Sequence, residues 1–510
     1  MELSRTKKGA RNAVFNVSGV ILNILCSFII RTVFIYTLGK AYLGINGLFT
    51  NILSFLSLAE MGIGTSIIYC LYKPVAENDI QKIKELMNFY KTAYRYIAVV
   101  VALAGIVIMP FLEWLIYDKP DIPESLYVIY ALYLVNSVAS YFFIYKKSLL
   151  IAHQKEYIVS IINIIYYVVM NGLQVAALIV FKNFFAYLII QILSSIANNI
   201  VVSIICDKKY PYIIDNKEKL GKQERTRIFD DVKALIIYRV ASIILNSTDN
   251  LVISKGVGLI EVGLYSNYYL VTRAVYNLIR QAISALTASI GNLNVTQDTD
   301  KKELVFRATT FLASLLYGTA AVIFYVVLDK FIALWLDETF LFDRKIVIII
   351  IINFYLTGMS GIYNILRATF GLFVQGKMRP LLSSIINIIL SVALVKPLGV
   401  LGVFIGTAVA LTSINFWYDP YIVYKCALKR DYKMFLINNI LYAVSYIGIA
   451  IGCEKICGML TFGDMRVELV VDVILTGMIS VIVLGVLFWR KQETQFLLKK
   501  VKSILKRNKG

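Results

Sequence analysis

Two arginines seven residues apart, Arg273 and Arg280, interrupt a largely apolar stretch, and a third, Arg31, interrupts another near the N-terminus. Guanidinium forks match phosphate and carboxylate oxygens, and seven helical residues rise about 10 Å, so Arg273 and Arg280 on one helix face suit a diphosphate with an adjoining anionic or sugar group. The stretches around the arginines carry Asn23, Asn46, Thr50, Tyr269, Tyr276 and Asn277, whose amides, hydroxyls and aromatic faces make them candidates to contact sugar rings. The acids at depth are Glu60, Asp249 and Asp419. Glu60 and Asp249 are candidates either to titrate or bind a coupling cation, or to pair with an arginine. With Arg239 and Arg367, five arginines face three acids, and the excess positive charge calls for water or an anionic ligand. Each arginine has a plainer alternative, an ion pair or a head group reaching an interface, and Arg239 and Arg367 are closest to span ends and expected to be structural.

Elements that place such residues must be membrane helices. Of 510 residues, 59% are apolar and 16% charged, against about 25% charged in soluble domains. That excludes a soluble enzyme. The formal charge of +20 would suggest nucleic acid in a soluble chain, but here the basic residues lie between apolar runs and report topology.

Apolar runs centre on 13–38, 42–72, 90–112, 125–145, 157–181, 184–206, 232–254, 260–290, 308–328, 346–370, 380–396, 399–424, 435–453 and 467–489, which predicts about 14 transmembrane helices. With the N-terminus inside, the Lys and Arg of alternate loops divide roughly four to one, a positive-inside pattern that puts both termini in the cytoplasm. The first run is too long and too polar for a cleaved signal, with Asn16, Asn23 and Arg31 inside it. External loops are short, so the function must reside within the helices. The divisions expected are an N-terminal six-helix lobe over 1–206, a cytosolic linker over 207–231, a second six-helix lobe over 232–424, two further helices over 425–489 and a basic tail over 490–510. That tail spaces Leu497, Val501, Ile504 and Leu505 as an amphipathic helix suited to an anionic leaflet, with a solvated tail as the alternative.

A shift of 219 residues lays Gly258 on Gly39 and Gly263 on Gly44, both pairs expected in the external turn between the first two helices of a half. The same shift sets Asn23, Ser27 and Arg31 on Ser242, Asn246 and Asn250, polar stripes at four-residue steps that belong on an inward face. In the second helices Thr50, Ser54, Ser57 and Met61 overlay Tyr269, Arg273, Tyr276 and Arg280. The repeat is parallel. Polar stripes inside an apolar exterior imply a water-accessible central cavity.

Other motifs carry little. Cys453 and Cys457 are expected to flank a short external loop as unpaired thiols, with a disulfide as the alternative their spacing allows, and the remaining cysteines are small core residues. One histidine, His153, in a polar loop excludes histidine-based metal or triad chemistry. Asp298-Thr-Asp300 has the DxD form of metal-dependent glycosyltransferases without a nucleotide-binding domain around it, and no P-loop occurs.

The stretch from Arg31 to Asn88, with LGKAYLGINGLFTNILSFLSLAEMGIGTSIIYCLYKPVAENDIQKIKELM, resembles the N-terminal signature of bacterial polysaccharide-repeat-unit flippases, as do STDNLVISKGVGLIEVGLYSNY at 247–268 and ASIGNL at 288–293. These polysaccharide transporters belong to the multidrug/oligosaccharidyl-lipid/polysaccharide exporter superfamily. The resemblance implies an all-α integral membrane protein of the bacterial cytoplasmic membrane, with two pseudo-symmetric six-helix lobes around a central cavity plus two C-terminal helices. It also implies an undecaprenyl-diphosphate-linked oligosaccharide as substrate, moved between leaflets by alternating access over a cationic cavity. Arg31, Arg273 and Arg280 fit its diphosphate. No cofactor is expected beyond H+ or Na+ as coupling ion, and no metal. The expected partners are membrane lipids and a polysaccharide polymerase or glycosyltransferase, not nucleic acid. The rivals are a cation-coupled multidrug antiporter, against which the arginine excess argues, a peptidoglycan-precursor (lipid II) flippase, and a membrane glycosyltransferase, against which the short loops argue.

Overall fold

A computed structural model describes residues 5–57, 63–118, 120–214, 216–226, 228, 248–296, 299–372, 375–376, 378–460 and 463–507. Every regular element among them is helical, as hydrocarbon demands of a chain that must satisfy its own backbone polar groups. Eleven helices among the described residues are long and apolar enough to cross a membrane. The protein is an all-α, multi-pass membrane protein.

The chain divides into two compact units, Met1–Ser266 and Asn267–Gly510. The first holds α1 (Arg5–Leu38), α2 (Lys40–Leu56), α3 (Ile63–Glu77), α4 (Ile80–Ile108), α5 (Leu126–Ser140), α6 (Ile144–Ala152), α7 (Glu156–Phe181) and α8 (Phe184–Lys209). A further helix, α9, covers 248–256, and α10 (Leu259–Thr296) contains the division. In this unit α1 packs on α7, α7 on α8, and α8 on α5. Helix starts are fixed by side-chain caps: Asp79 accepts from the Lys82 amide at 2.9 Å and Asn183 from the Ala186 amide at 3.1 Å.

The second unit is built on α11 (Thr299–Trp335), which packs against α12 (Arg344–Thr369), α16 (Lys433–Gly458), α17 (Met465–Leu487) and α18 (Gln492–Arg507). Between them run α13 (Arg379–Leu398), α14 (Val400–Ala410) and α15 (Tyr418–Ile422). Residues 411–415 and 423–428 are π-helical, so 400–428 forms one irregular span. Pro420 lies in it and has no amide proton to offer the preceding turn.

The described helices differ in places from the expected spans. The run 42–72 is two helices, α2 and α3, with 58–62 outside the described residues. The seventh run falls largely outside them too, taking Arg239, Ser242 and Asn246 with it, as Glu60, Met61 and Asp298 also do. At 38 residues α10 is long enough to span, but its charges and hydroxyls keep it from reading as a uniform apolar span. Cys453 and Cys457 do not flank a loop: both are buried, free thiols inside α16, one turn apart, because the apolar helix continues to Gly458.

The expected turns lie at Gly39 and Gly258, whose φ angles of 86° and 155° favour glycine, each immediately before a helix. Gly44 and Gly263 are in α2 and α10 rather than in the turns, and there they face each other. A Cβ on Gly44 would overlap the Leu259 carbonyl, and one on Gly263 would stand 3.0 Å from Lys40 O and 3.2 Å from Gly44 N.

Candidate functional site

In the first unit, α1 places Arg31 half-buried, its Nη1 donating to Ser266 Oγ at 3.0 Å. Ser266 Oγ in turn donates to Gly263 O at 2.6 Å. Tyr133 of α5 and Tyr187 of α8 lie within electrostatic reach of the guanidinium. Tyr133 donates its hydroxyl to Asn46 Oδ1, and the buried Gln174 of α7 donates to Tyr187 O at 3.3 Å. Phe34 stands edge-on to Tyr187 with centroids 5.2 Å apart, and to Phe184 at 5.7 Å. Among the described residues, the groups placed around this cation are neutral oxygens and aromatic rings. Asn46 belongs to this group, whereas Asn23 accepts from Ser27 Oγ at 3.1 Å along its own helix and Thr50 is exposed. Asp249 is buried in α9.

Sequence reasoning missed Tyr133, Tyr187 and Ser266. The first two come from helices far along the chain, and only Ser266, three residues before Tyr269, lay near a residue already singled out.

In the second unit, α10 presents Tyr269, Arg273, Tyr276 and Arg280 at steps of four, three and four, one helix face. The Arg273 guanidinium stands 4.9 Å from the centroid of the buried Tyr276 ring, a cation–π contact. That ring lies 5.9 Å from Tyr317 of α11, and Tyr317 is within electrostatic reach of both Arg273 and Arg280. Asn277 is half-buried, while Tyr269 and Arg280 are exposed. Tyr317 was not anticipated, since nothing in its own sequence neighbourhood separates it from an ordinary core tyrosine.

Three other buried acids, Asp419, Glu493 and Asp472, each contact a cation. Asp419 is fully buried between Arg367 Nε at 2.9 Å and Arg379 Nη1 at 2.8 Å. Arg367 also donates to Asn364 Oδ1 at 2.8 Å and to Leu372 O, and Arg379 to Ser360 Oγ at 3.1 Å. Glu493 of α18, also buried, accepts from Arg307 Nη2 at 3.0 and 3.2 Å and from the Tyr442 hydroxyl at 3.0 Å. Asp472 of α17 accepts from Lys330 at 2.8 Å. Arg31, Arg273 and Arg280, by contrast, pair with no carboxylate among the described residues. No group of three or more His, Cys, Asp or Glu residues that could hold a metal ion occurs among the described residues.

The sequence matches the profile of a family described as polysaccharide biosynthesis protein over residues 10–287, more than half of the chain. No curated protein matches it. Among solved structures, the inward-closed conformation of the lipid II flippase MurJ is similar with a TM-score of 0.64 and 14% identity, over 93% of this chain and 99% of that one. An inward-facing multidrug resistance MATE transporter of the MOP superfamily gives 0.61 and 13% identity, over 82% and 99%. A MATE transporter of Vibrio cholerae gives 0.59 and 13% identity, over 83% and 98%. At such identities the likeness establishes a shared fold.

Proposed function

This chain belongs to the polysaccharide biosynthesis protein family, and from that premise we propose that it is a flippase for undecaprenyl-diphosphate-linked oligosaccharide repeat units. It carries them from the inner to the outer leaflet of the bacterial cytoplasmic membrane by alternating access, for export of a cell-surface polysaccharide such as capsule or O-antigen. Both termini face the cytoplasm, in keeping with the positive-inside pattern of the loops.

The observation that carries this reading is the contrast between the buried acids and the three arginines. Asp419, Asp472 and Glu493 each have a cation in contact, while Arg31, Arg273 and Arg280 have no carboxylate among the described residues. A guanidinium held at depth without a counter-ion gains most from an anionic ligand, and its fork suits phosphate oxygens. Rings and amides beside the arginines, Tyr133, Tyr187 and Asn46 near Arg31 and Tyr276 near Arg273, offer faces and hydrogen bonds to sugars. H+ or Na+ is the coupling ion, and polymerase or glycosyltransferase partners meet the product or supply the substrate.

The fold is shared with a multidrug resistance transporter and with a lipid II flippase, so substrate assays decide. Proteoliposomes are given a fluorescent undecaprenyl-diphosphate oligosaccharide, and its movement is compared between wild type, Arg273→Ala and Arg280→Ala. Movement by the wild type that falls at least tenfold in well-folded variants supports the reading. Failure of the wild type on several lipid-linked saccharides, together with proton-driven movement of a cationic dye, establishes the antiporter instead.

A further inference from the structure

One exposed apolar face of α17 is interrupted near its C-terminal end. Val470, Ile474, Met478 and Val481 are exposed at steps of four, four and three, one side of the helix. The next position on that side is Gly485, where a Cβ would meet nothing within 4 Å. The missing side chain leaves a groove of about 660 Å³ lined by Ile482, Gly485, Val486, Leu487, Trp489 and Arg490, within the size range of small-molecule sites. Ile482, Val486, Leu487 and Trp489 are each more than half exposed. The groove therefore opens outward, where a spanning helix meets hydrocarbon.

The end of the groove is held in place. Phe488 is buried, edge-on to Tyr442 with centroids 4.7 Å apart and to Phe311 at 6.2 Å. In the turn that follows, Lys491 N donates to Phe488 O at 3.0 Å, Gln495 Nε2 to Trp489 O at 2.9 Å and Lys491 Nζ to Asn438 Oδ1 at 2.7 Å. With Phe488 committed to the core, Trp489 and Arg490 stand exposed just past the span, which ends at Leu487. An indole at that level with a guanidinium beside it suits a membrane–water boundary.

Charge says what fits there. Glu493, the sole acid over 473–510, is engaged by Arg307 and Tyr442, while eight basic residues lie within 490–510. The complement of this end is an anion. One guanidinium fork suits the single charge of a phosphodiester. The rest of the lining is apolar surface and one indole, with no amide or hydroxyl side chain to hold a saccharide. A zwitterionic headgroup would bring its own ammonium against Lys491 and the basic tail, whereas an anionic one meets them favourably.

We propose that this groove is a binding site for one anionic phospholipid, with its phosphodiester on Arg490, its acyl chain laid over Gly485 against Ile482 and Val486, and Trp489 at the glycerol level. The site requires that the chain span a membrane and does not depend on what the protein transports.

The test is fluorescence quenching of the full chain in phosphatidylcholine vesicles containing increasing fractions of dibrominated phosphatidylglycerol or dibrominated phosphatidylcholine. The emission of Trp489 is taken as the difference between wild type and Trp489→Phe. Brominated phosphatidylglycerol is expected to quench it several-fold more strongly than brominated phosphatidylcholine at the same low mole fraction. Arg490→Gln is expected to abolish that headgroup preference, and Gly485→Leu, which fills the groove, to weaken quenching by phosphatidylglycerol. If Gly485→Leu does not fold, the exposed Arg490 decides alone. Equal quenching by the two lipids in wild type marks an ordinary lipid annulus and overturns the site, as does a preference that survives Arg490→Gln. Reversal of quenching by a stoichiometric amount of unlabelled undecaprenyl-diphosphate oligosaccharide assigns the groove to the transported lipid and also overturns it. The readout involves no transport, so failure of the flippase reading leaves this result standing.

Discussion

Gly263 packs on Gly44: a Cβ added to Gly263 would come 3.2 Å from the Gly44 amide nitrogen and 3.0 Å from Lys40 O, and one added to Gly44 would overlap the Leu259 carbonyl. The two positions are related by the same 219-residue shift that relates the turn glycines Gly39 and Gly258. A pair of repeat-equivalent glycines thus lets the backbones at the starts of α2 and α10 approach closely.

Adding a methyl group there should be costly in an asymmetric way. Gly44→Ala must displace a backbone carbonyl and is expected to destabilise by about 1–3 kcal/mol, with Gly263→Ala milder because its contacts need to give by only a few tenths of an ångström. Thermal unfolding of the two variants in the same detergent checks the order.

Asp419 is the centre of a buried clamp on Arg367 and Arg379. Removing its charge strands two guanidinium groups, so Asp419→Asn is expected to cost about 3–5 kcal/mol, the usual penalty for breaking a buried pair. Size-exclusion profiles and thermal melts against wild type read this loss. An Asp419→Asn protein as stable as wild type contradicts the clamp.

The opposite outcome is expected for Arg280, which is exposed and has no carboxylate partner among the described residues. Arg280→Ala should leave stability within about 0.5 kcal/mol, as for surface changes away from special features, yet impair movement of a diphosphate-linked substrate. Stability and transport measured on the same preparation separate a ligand contact from a structural ion pair.

Glu493 bolts α18 to α11 and α16 through Arg307 and Tyr442. Glu493→Gln is expected to loosen α18, seen as faster modification of a cysteine placed on α18 and faster trypsin cleavage at its lysines. Unaltered accessibility shows that apolar packing alone retains the helix.

His153, at the C-terminal end of α6, stacks on Tyr210 with centroids 4.3 Å apart. Burial lowers its pKa from the ordinary 6.5, opposed by a hydrogen bond to Leu149 O and assisted by Lys155. The unfolded chain therefore binds more protons just below that value, so stability falls as pH drops through the window beneath about 6.5 and is regained above it. The pH dependence of the melting temperature across that window should flatten in His153→Gln.

Sequence alone determined the membrane character and the helical class. Those follow from composition and from the cost of polar groups in hydrocarbon, which act on each segment separately. The 219-residue shift was also legible, because Gly39 and Gly258 each meet a local backbone requirement that only their own φ angles impose. Which charges cancel was not. Asp419 finds Arg367 and Arg379, Glu493 finds Arg307, and Asp472 finds Lys330 only when helices distant in the chain pack together. The count of five arginines against three acids did not foresee Glu493 or Asp472, nor the buried Arg379 and Arg307. Tyr133 and Tyr187 near Arg31, and Tyr317 near Arg273, were hidden for the same reason: helical periodicity says which face a residue occupies, and tertiary packing alone decides what that face meets.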